Sequence, residues 1–436
     1  MQTLGNQSGA KMGCQESRVA GRKQFLVRSF LTLVVLLSAG MLVFSRQFYT
    51  EALDDAFFAL ALASVVILHQ RIRPSWLDAA WTGAGTVALG VVDFHFLHYP
   101  PKIMAWFSFL GLSSFAIMAL RSIWSQDRRR LLYACIPAAA FVISDYFASN
   151  MLEWTAKAHP KTLDLYLLSF DGSLRAQLAF GAGQVYARFP ALHISALIAY
   201  IGLAIPITTI LAGRLVRFKE GAFPAMLAFL ITGPTGILFY NLFPACGPHN
   251  MFGPNFPFHP FPIADLPRLL LEPVAFQGPR NAMPSLHLAW TLLAWWYSRG
   301  LSWAERFIAF AFLALTAFAT LGTGEHWFVD LVVAFPFALL MYALCAYQLS
   351  WKDSRRMTAI LTGLGGTLAW LVTLRYGAKL FWASPIVPWV LSAATIAFAY
   401  ILQAKLDHAT DARDITSAAR GRVSWFRFDS AVARPE

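Results

Sequence analysis

The feature that most constrains the fold is a series of apolar runs that recurs along almost the whole chain. A helix needs about 20 apolar residues to cross the hydrocarbon of a bilayer. Twelve runs approach or reach this length: 29–45, 54–69, 78–97, 103–120, 131–149, 190–212, 222–243, 285–299, 304–323, 328–349, 357–375 and 384–403. They are continuously apolar and do not alternate as barrel strands do. They predict an all-α, polytopic membrane protein with about twelve transmembrane helices.

The distribution of basic residues predicts that both termini are cytoplasmic. With the N-terminus inside, the short inner loops hold most of the arginines, for example Arg71, Arg73 and the run 128–130, as the positive-inside rule requires. The run 29–45 lacks a small-residue cleavage pattern, so we expect a retained anchor. Basic loops facing an anionic leaflet also explain the net charge of +12. We therefore predict no nucleic-acid partner.

The runs divide the chain into five predicted regions. These are a cytoplasmic tail (1–28), an N-terminal four-helix transmembrane region (29–130), a six-helix core (131–350), two C-terminal transmembrane helices (351–403) and a second cytoplasmic tail (404–436). The core contains two long outer segments. Apolar residues at three- and four-residue spacing in 150–189 predict an amphipathic helix at the membrane interface. The segment 244–284 has ten prolines, which forbid a long helix. An ordered loop and a lid beside a lipid entrance both fit this composition.

Two short polar patterns stand where apolar helices begin. One is Met283-Pro284-Ser285-Leu286-His287, and the other is His326-Trp327-Phe328-Val329-Asp330. The chain between them allows one crossing of the membrane and one return, which places both patterns on the same face. Ionisable residues at such positions are costly in a membrane protein and are candidates for function.

The two patterns together predict a phosphate site. Proline is favoured in the first turn of a helix, and the N–H groups there attract anions, to which Ser285 adds a hydroxyl. His287 in that first turn is suited to act as a general acid. His326 and Asp330 are four residues apart on one helix face, so that the carboxylate can orient one ring nitrogen and leave the other for nucleophilic attack.

These strings resemble the second and third signature motifs of the type 2 phosphatidic acid phosphatase superfamily. Leu286 before His287, and the turn Pro244-Ala245-Cys246-Gly247-Pro248, are similar to the branch of inositol phosphorylceramide synthases and their bacterial relatives. The resemblance covers about 131–350, which would then be the catalytic core.

The resemblance implies a mechanism and assigns roles within it. His326 would attack phosphorus and form a phosphohistidine, Asp330 would orient His326, His287 would protonate the leaving alkoxide, and Ser285 would bind phosphate. Water or a second alcohol would then accept the phosphoryl group. Members of this kind need no metal and no other cofactor, and we expect none. Asp93, His95 and His98 near the end of one predicted helix fit no firm metal template.

Two positions depart from the superfamily pattern. The first motif, a lysine followed by Arg-Pro, is absent near the end of the run 222–243, and Thr320 stands where an arginine is expected six residues before His326. An anionic phosphoryl group still needs positive partners. The candidates in the outer loop are Arg280 and Arg268, with His249 and Asn241 as further polar options.

The sequence therefore predicts an integral-membrane enzyme that acts on a lipid phosphate ester at the extracytoplasmic face. Head-group transfer of the inositol phosphorylceramide synthase type is favoured over simple hydrolysis of phosphatidic acid or a polyprenyl diphosphate. The predicted partners are membrane lipids: a phospholipid donor and a possible lipid-alcohol acceptor. The alternatives from other functional classes are a secondary transporter and a non-catalytic lipid-binding protein. A transporter would show matching halves and polar residues near mid-membrane, which this chain does not.

Overall fold

The computed structural model describes residues 56–97, 101–124, 128–217 and 222–419, and within these ranges the regular elements are helical. In chain order the α-helices are α1 Ala56–Ala63, α2 Val65–Arg71, α3 Trp76–Leu97, α4 Ile103–Trp124, α5 Arg128–Ala158, α6 Asp164–Ser173, α7 Leu178–Arg188, α8 Pro190–Ile201, α9 Ala204–Arg217, α10 Ala222–Leu242, α11 Gly247–Phe252, α12 Leu286–Tyr297, α13 Trp303–Gly322, α14 Phe328–Cys345, α15 Ser354–Tyr376, α16 Ala378–Trp382 and α17 Ile386–Ala419. Two turns of 3₁₀-helix, Gly253–Asn255 and Leu266–Arg268, lie between α11 and α12. The predicted all-α class is confirmed for this part of the chain.

Among the described helices, six are long and apolar enough to cross a membrane: α4, α10, α13, α14, α15 and α17. A seventh span results if α8 and α9 are counted as one. These helices support an integral membrane protein, but the predicted number of twelve spans is not confirmed. The predicted helix 29–45 and the tail 1–28 lie outside the described residues. The predicted boundary at 403 is passed by α17, which continues to Ala419.

Two predicted spans are broken in the structure. The run 54–69 divides at Ser64 into α1 and α2, and the run 190–212 divides at Gly202 into α8 and α9, which are bent by 58°. Pro206 explains the second break, because it has no N–H to donate to the carbonyl of Gly202 and its ring crowds that carbonyl. The hydroxyl of Thr208 donates to Ser64 Oγ across 2.9 Å, so a buried hydrogen bond joins the first break to α9.

Helix α14 is the centre of the described core. Fifteen of its 18 residues are buried, because α6, α10, α12, α15 and α17 pack around it. This surrounding explains why its sequence is apolar on every side, whereas a helix with one exposed face shows a polar stripe. Its N-terminus carries the second polar pattern, so the candidate site is built on the most enclosed helix.

The two segments that the sequence predicts to lie outside the membrane, 150–189 and 244–284, pack into the protein. The apolar residues of 163–174, which the spacing assigned to a helix at the membrane interface, include Leu167 and Phe170, and both belong to the core cluster around α14. The proline-rich segment packs on α6 and α7: Thr162 and Val274 exchange backbone hydrogen bonds, and the hydroxyl of Tyr166 donates to the carbonyl of Leu271 at 3.0 Å. These contacts hold the segment beside the start of α14.

A glycine sets the distance between α14 and α15. A Cβ at Gly363 would lie 2.7 Å from the backbone nitrogen of Leu340 and 2.9 Å from the carbonyl oxygen of Pro336, whereas a Cβ at Gly365 would meet nothing within 4 Å. We expect Gly363→Ala to destabilise the protein by about 1–3 kcal/mol, because the helices must move apart. Gly365→Ala is the matched control, and its higher helix propensity predicts a neutral or slightly stabilising effect. Thermal unfolding in detergent measures both, and equal melting temperatures would contradict this packing.

Candidate active site

His326 lies in the short connection between α13 and α14, and only 1% of it is exposed. Its Nδ1 lies 2.8 Å from the carbonyl oxygen of Ala282 and 3.5 Å from Oδ2 of Asp330. Because a carbonyl oxygen can only accept, Nδ1 carries the proton and donates. In the neutral ring this leaves the lone pair on Nε2.

Asp330 both caps α14 and lies beside His326. Its Oδ2 accepts from the backbone N–H of Trp327 at 2.7 Å, which fixes the carboxyl group at the start of the helix. Its Oδ1 is buried and has no hydrogen-bond partner among the described residues. The structure thus brings His326 and Asp330 together, but the prediction that they share a helix face is wrong, because His326 precedes α14. The Ala282 carbonyl is the nearer partner of the ring.

The first pattern begins next to the second. Ser285 is the N-cap of α12: its Oγ accepts from the N–H of Leu288 at 3.5 Å, and its own N–H donates to the carbonyl of Asp330 at 3.2 Å. The starts of α12 and α14 therefore lie side by side. His287 is close enough to His326 for the charges of the two rings to interact. Four motif residues, Ser285, His287, His326 and Asp330, thus meet at one end of the core, in the arrangement that a shared site requires.

The turn at 244–248 is connected to both patterns. The N–H of Ala282 donates to the carbonyl of Ala245 at 3.1 Å, and the N–H of His249 donates to the carbonyl of Gly324 at 2.8 Å. Gly247 has a φ of +81°, and a Cβ there would lie 2.3 Å from the carbonyl oxygen of Glu325. Only glycine fits this close approach. The turn therefore supports the loop that carries His326.

Asp164 is a functional candidate that the sequence reasoning missed. It is fully buried, and its Oδ1 accepts from the N–H of Gly247 and from Nε1 of Trp327, both at 2.9 Å. Its Oδ2 accepts from the N–H of Cys246 at 3.0 Å. One carboxylate thus joins α6, the 244–248 turn and the residue next to His326.

Asp171 is the second buried carboxyl group that was missed. Its two oxygens accept from the N–H groups of Phe328 at 2.9 Å and Val329 at 3.3 Å, in the first turn of α14. Burial raises the pKa of Asp171 to about 8, and the nearby charge of Asp330 acts in the same direction. A partly neutral Asp171 limits repulsion between the two carboxyl groups. Asp164 and Asp171 are seven residues apart and share a helix face, a signal that the sequence contained.

The two arginines proposed as phosphate partners occupy different environments. The guanidinium of Arg280 is directed at the carbonyls of His159, Pro160, Phe276 and Gly278, which use four of its five N–H groups. Arg280 therefore fastens the outer segment to the end of α5. Arg268 is exposed at the end of the 3₁₀ turn Leu266–Arg268. Asn241 receives a contact from His159 at 3.0 Å, near the same end of α5.

Thr320 is uncharged, so it does not supply the positive charge of the arginine that the superfamily pattern has at this position. Its carbonyl accepts from the N–H of His326 at 3.1 Å, and its hydroxyl donates to Ala317 within α13. Its backbone therefore shapes the His326 connection. Among the described residues, no group of three or more His, Cys, Asp or Glu side chains is arranged to hold a metal ion. His98 of the weak metal pattern lies outside the described residues.

The environment of His326 predicts the pH dependence of the site. Burial lowers the pKa of His326 to about 4, although the charge of Glu325 and the bond to Ala282 oppose this shift. The ring is therefore about nine-tenths neutral at pH 5, whereas an ordinary histidine would be only about 3% neutral. With a phosphodiester donor, we expect kcat/KM to persist at pH 5 and to fall near pH 4.

The control for this prediction is Glu325→Gln, which removes the charge that raises the pKa of His326. The acid limb of the kcat/KM profile should then move to lower pH. The other charged or titratable groups around the ring, Asp330 and His287, are unchanged in this variant. An acid limb near pH 6.5 in the unmodified protein would contradict the prediction.

Comparison with known families agrees with this geometry. A family model described as PAP2 superfamily matches residues 165–344, from the first turn of α6 to the last turn of α14. This match supports a type 2 phosphatidic acid phosphatase superfamily domain and, with it, a phosphatase or phosphotransferase of lipid phosphates. The search of curated proteins and the search of solved structures found no match. The inositol phosphorylceramide synthase branch is not confirmed.

Proposed function

We propose that the protein transfers the phosphoryl head group of a phospholipid to an alcohol, with His326 as the nucleophile. The observation that carries this proposal is the hydrogen bond from Nδ1 of His326 to the Ala282 carbonyl, which leaves Nε2 with its lone pair beside the start of α12. A neutral imidazole with a fixed tautomer is the form that can attack phosphorus. The PAP2 superfamily match over 165–344 supports the same chemistry.

The N-terminus of α12 is the proposed phosphate subsite. In α14 the first-turn N–H groups of Trp327, Phe328 and Val329 are occupied by Asp330 and Asp171. A phosphate oxygen would meet carboxylates there, which is unfavourable. At α12, by contrast, the cap is the neutral hydroxyl of Ser285, so the helix dipole and the hydroxyl can serve an anion. Arg280 has less support as a phosphate ligand, because four of its N–H groups donate to carbonyls. Arg268 also has less support, because it is exposed in the loop.

The reaction proceeds in two balanced steps. Nε2 of His326 forms a bond to phosphorus while the bond from phosphorus to the ester oxygen breaks, and protonated His287 transfers its proton to the leaving alkoxide. His287 then accepts a proton from the incoming hydroxyl as that oxygen attacks the phosphohistidine and the phosphorus–nitrogen bond breaks. A lipid alcohol as acceptor gives transfer, and water gives hydrolysis. We place the site at the extracytoplasmic face, with both termini cytoplasmic, on the positive-inside argument.

The test uses the full chain in detergent with phosphatidic acid, phosphatidylinositol and a polyprenyl diphosphate as labelled donors. Each donor is incubated with and without ceramide or diacylglycerol as acceptor. We expect phosphatidylinositol to lose its head group to the added acceptor. Free phosphate that does not depend on an acceptor would assign hydrolysis instead. If all three donors stayed intact, the proposal would be overturned, and a transporter or a non-catalytic lipid-binding protein would be favoured instead.

A further inference from the structure

Aromatic rings surround His287 on several sides. The ring of Tyr200 is stacked on the imidazole with a centroid distance of 4.1 Å and an interplanar angle of 13°. The ring of Phe57 lies 6.2 Å from His287 and packs edge-on against Tyr200 at 5.8 Å. Trp290, one turn along α12, is perpendicular to the imidazole at 6.5 Å. The imidazole is thus covered on one face by a parallel ring, and Phe57 lies beside both rings of this stack.

The bend between α8 and α9 creates this arrangement. Tyr200 stands in the last turn of α8, two residues before the break at Gly202, and is only 9% exposed. Helix α8 packs on α7, α13 and α1, which brings Tyr200 to the start of α12. Phe57 comes from α1, which lies outside the region 165–344 that matches the PAP2 superfamily. The N-terminal region therefore contributes a side chain next to the site.

We propose that Tyr200 is a positioning residue for His287 and that Phe57, from the N-terminal region, supports Tyr200. This inference rests on the proposed function, in which His287 protonates the leaving alkoxide. The stack prevents the imidazole from rotating out of its plane, since rotation would drive one ring into the other. It also favours the protonated imidazole, because the face of an aromatic ring attracts a cation. A general acid contributes only when it is held within reach of the leaving oxygen.

The chemistry of the leaving group provides the test. An alkoxide needs a proton as the bond from phosphorus to oxygen breaks, whereas 4-nitrophenolate leaves without one. We expect Tyr200→Leu to slow the first turnover, in which the phosphohistidine forms, about 10²-fold on short-chain phosphatidic acid but to leave the first-turnover release of 4-nitrophenolate little changed. Tyr200→Phe retains the ring and should retain activity on both substrates. Phe57→Leu should show the Tyr200→Leu pattern with a smaller loss.

Two control variants separate positioning from general damage. His287→Ala should show the same dependence on the leaving group as Tyr200→Leu, since the first variant removes the acid and the second removes the ring that positions it. Tyr186→Leu removes a comparable stack, in which Tyr186 lies 4.1 Å from His193 at an angle of 26°. We expect Tyr186→Leu to turn over both substrates as the unmodified protein does.

The outcomes distinguish this inference from the function on which it rests. If Tyr200→Leu lost both activities equally, or lost neither, the positioning role would be overturned while the proposed function remained. If Tyr200→Phe failed to restore the activity on phosphatidic acid, the ring stack would not be the relevant feature. If the unmodified protein turned over neither these substrates nor the other labelled donors, the proposed function itself would be overturned, and the role of Tyr200 with it.

Discussion

Replacement of His326 by alanine is expected to lower lipid phosphate turnover by a factor on the order of 10⁴ or more. In the proposed function His326 supplies the attacking lone pair, and no other described imidazole at the site has its Nδ1 proton fixed by a carbonyl at 2.8 Å. Labelled donor should give an acid-labile phosphoprotein with the unmodified chain and none with the variant. Mass spectrometry should place the phosphoryl group on Nε2, because Nδ1 is occupied by its bond to Ala282.

His193→Ala is the matched control for this experiment. His193 is also a helix-terminal histidine on the same chain, but its ring stacks on Tyr186 in the contact between α7 and α8. We expect this variant to form the phosphoprotein normally. A phosphoryl group on Nδ1 would contradict the tautomer inferred here, and undiminished turnover in His326→Ala would remove the histidine mechanism altogether.

Substitution of Asp164 is expected to have the largest effect on stability among the site residues. Asp164→Ala leaves the N–H groups of Cys246 and Gly247 and Nε1 of Trp327 without their acceptor. Each buried donor left unpaired costs about 1–3 kcal/mol, so the loss should be about 3 kcal/mol or more. Activity should fall as well, because Trp327 is the residue next to His326.

The variant Asp164→Asn should have an intermediate effect on stability and activity. Asp164→Asn retains one carbonyl oxygen, which can still accept from Gly247 and Trp327, and loses the acceptor for Cys246. We expect the melting temperature and activity of Asp164→Asn to lie between those of the unmodified protein and those of Asp164→Ala. Asp265→Ala is the control, since Asp265 is exposed beside a 3₁₀ turn and makes no side-chain cap bond. If Asp164→Ala were as stable as Asp265→Ala, the three hydrogen bonds of Asp164 would contribute little to stability.

Part of the fold and part of the site could be predicted from the sequence. The observed α4, α10, α13, α14 and α15 lie close to the predicted runs, because an apolar run of about 20 residues is a local property. The proximity of His326 and Asp330 was also local, because only four residues separate them, although His326 precedes α14 and does not lie on its face. The bend at Gly202 was missed, although Pro206 was visible, because several helices tolerate proline when neighbours satisfy the freed carbonyl.

What the sequence by itself determined was the helical, membrane-protein character and the two polar patterns, each of which is encoded within a few turns of helix. What only the tertiary structure decided was the set of contacts between distant segments. Asp164 reaches Trp327 across 163 positions, and His326 reaches Ala282 across 44. The same holds for Tyr200 on His287 and for Arg280, whose guanidinium donates to carbonyls of the connection after α5 and of the segment 244–284. Periodicity reveals which face of a helix is buried, but it carries no information on the partner, because the partner is chosen by how the helices pack.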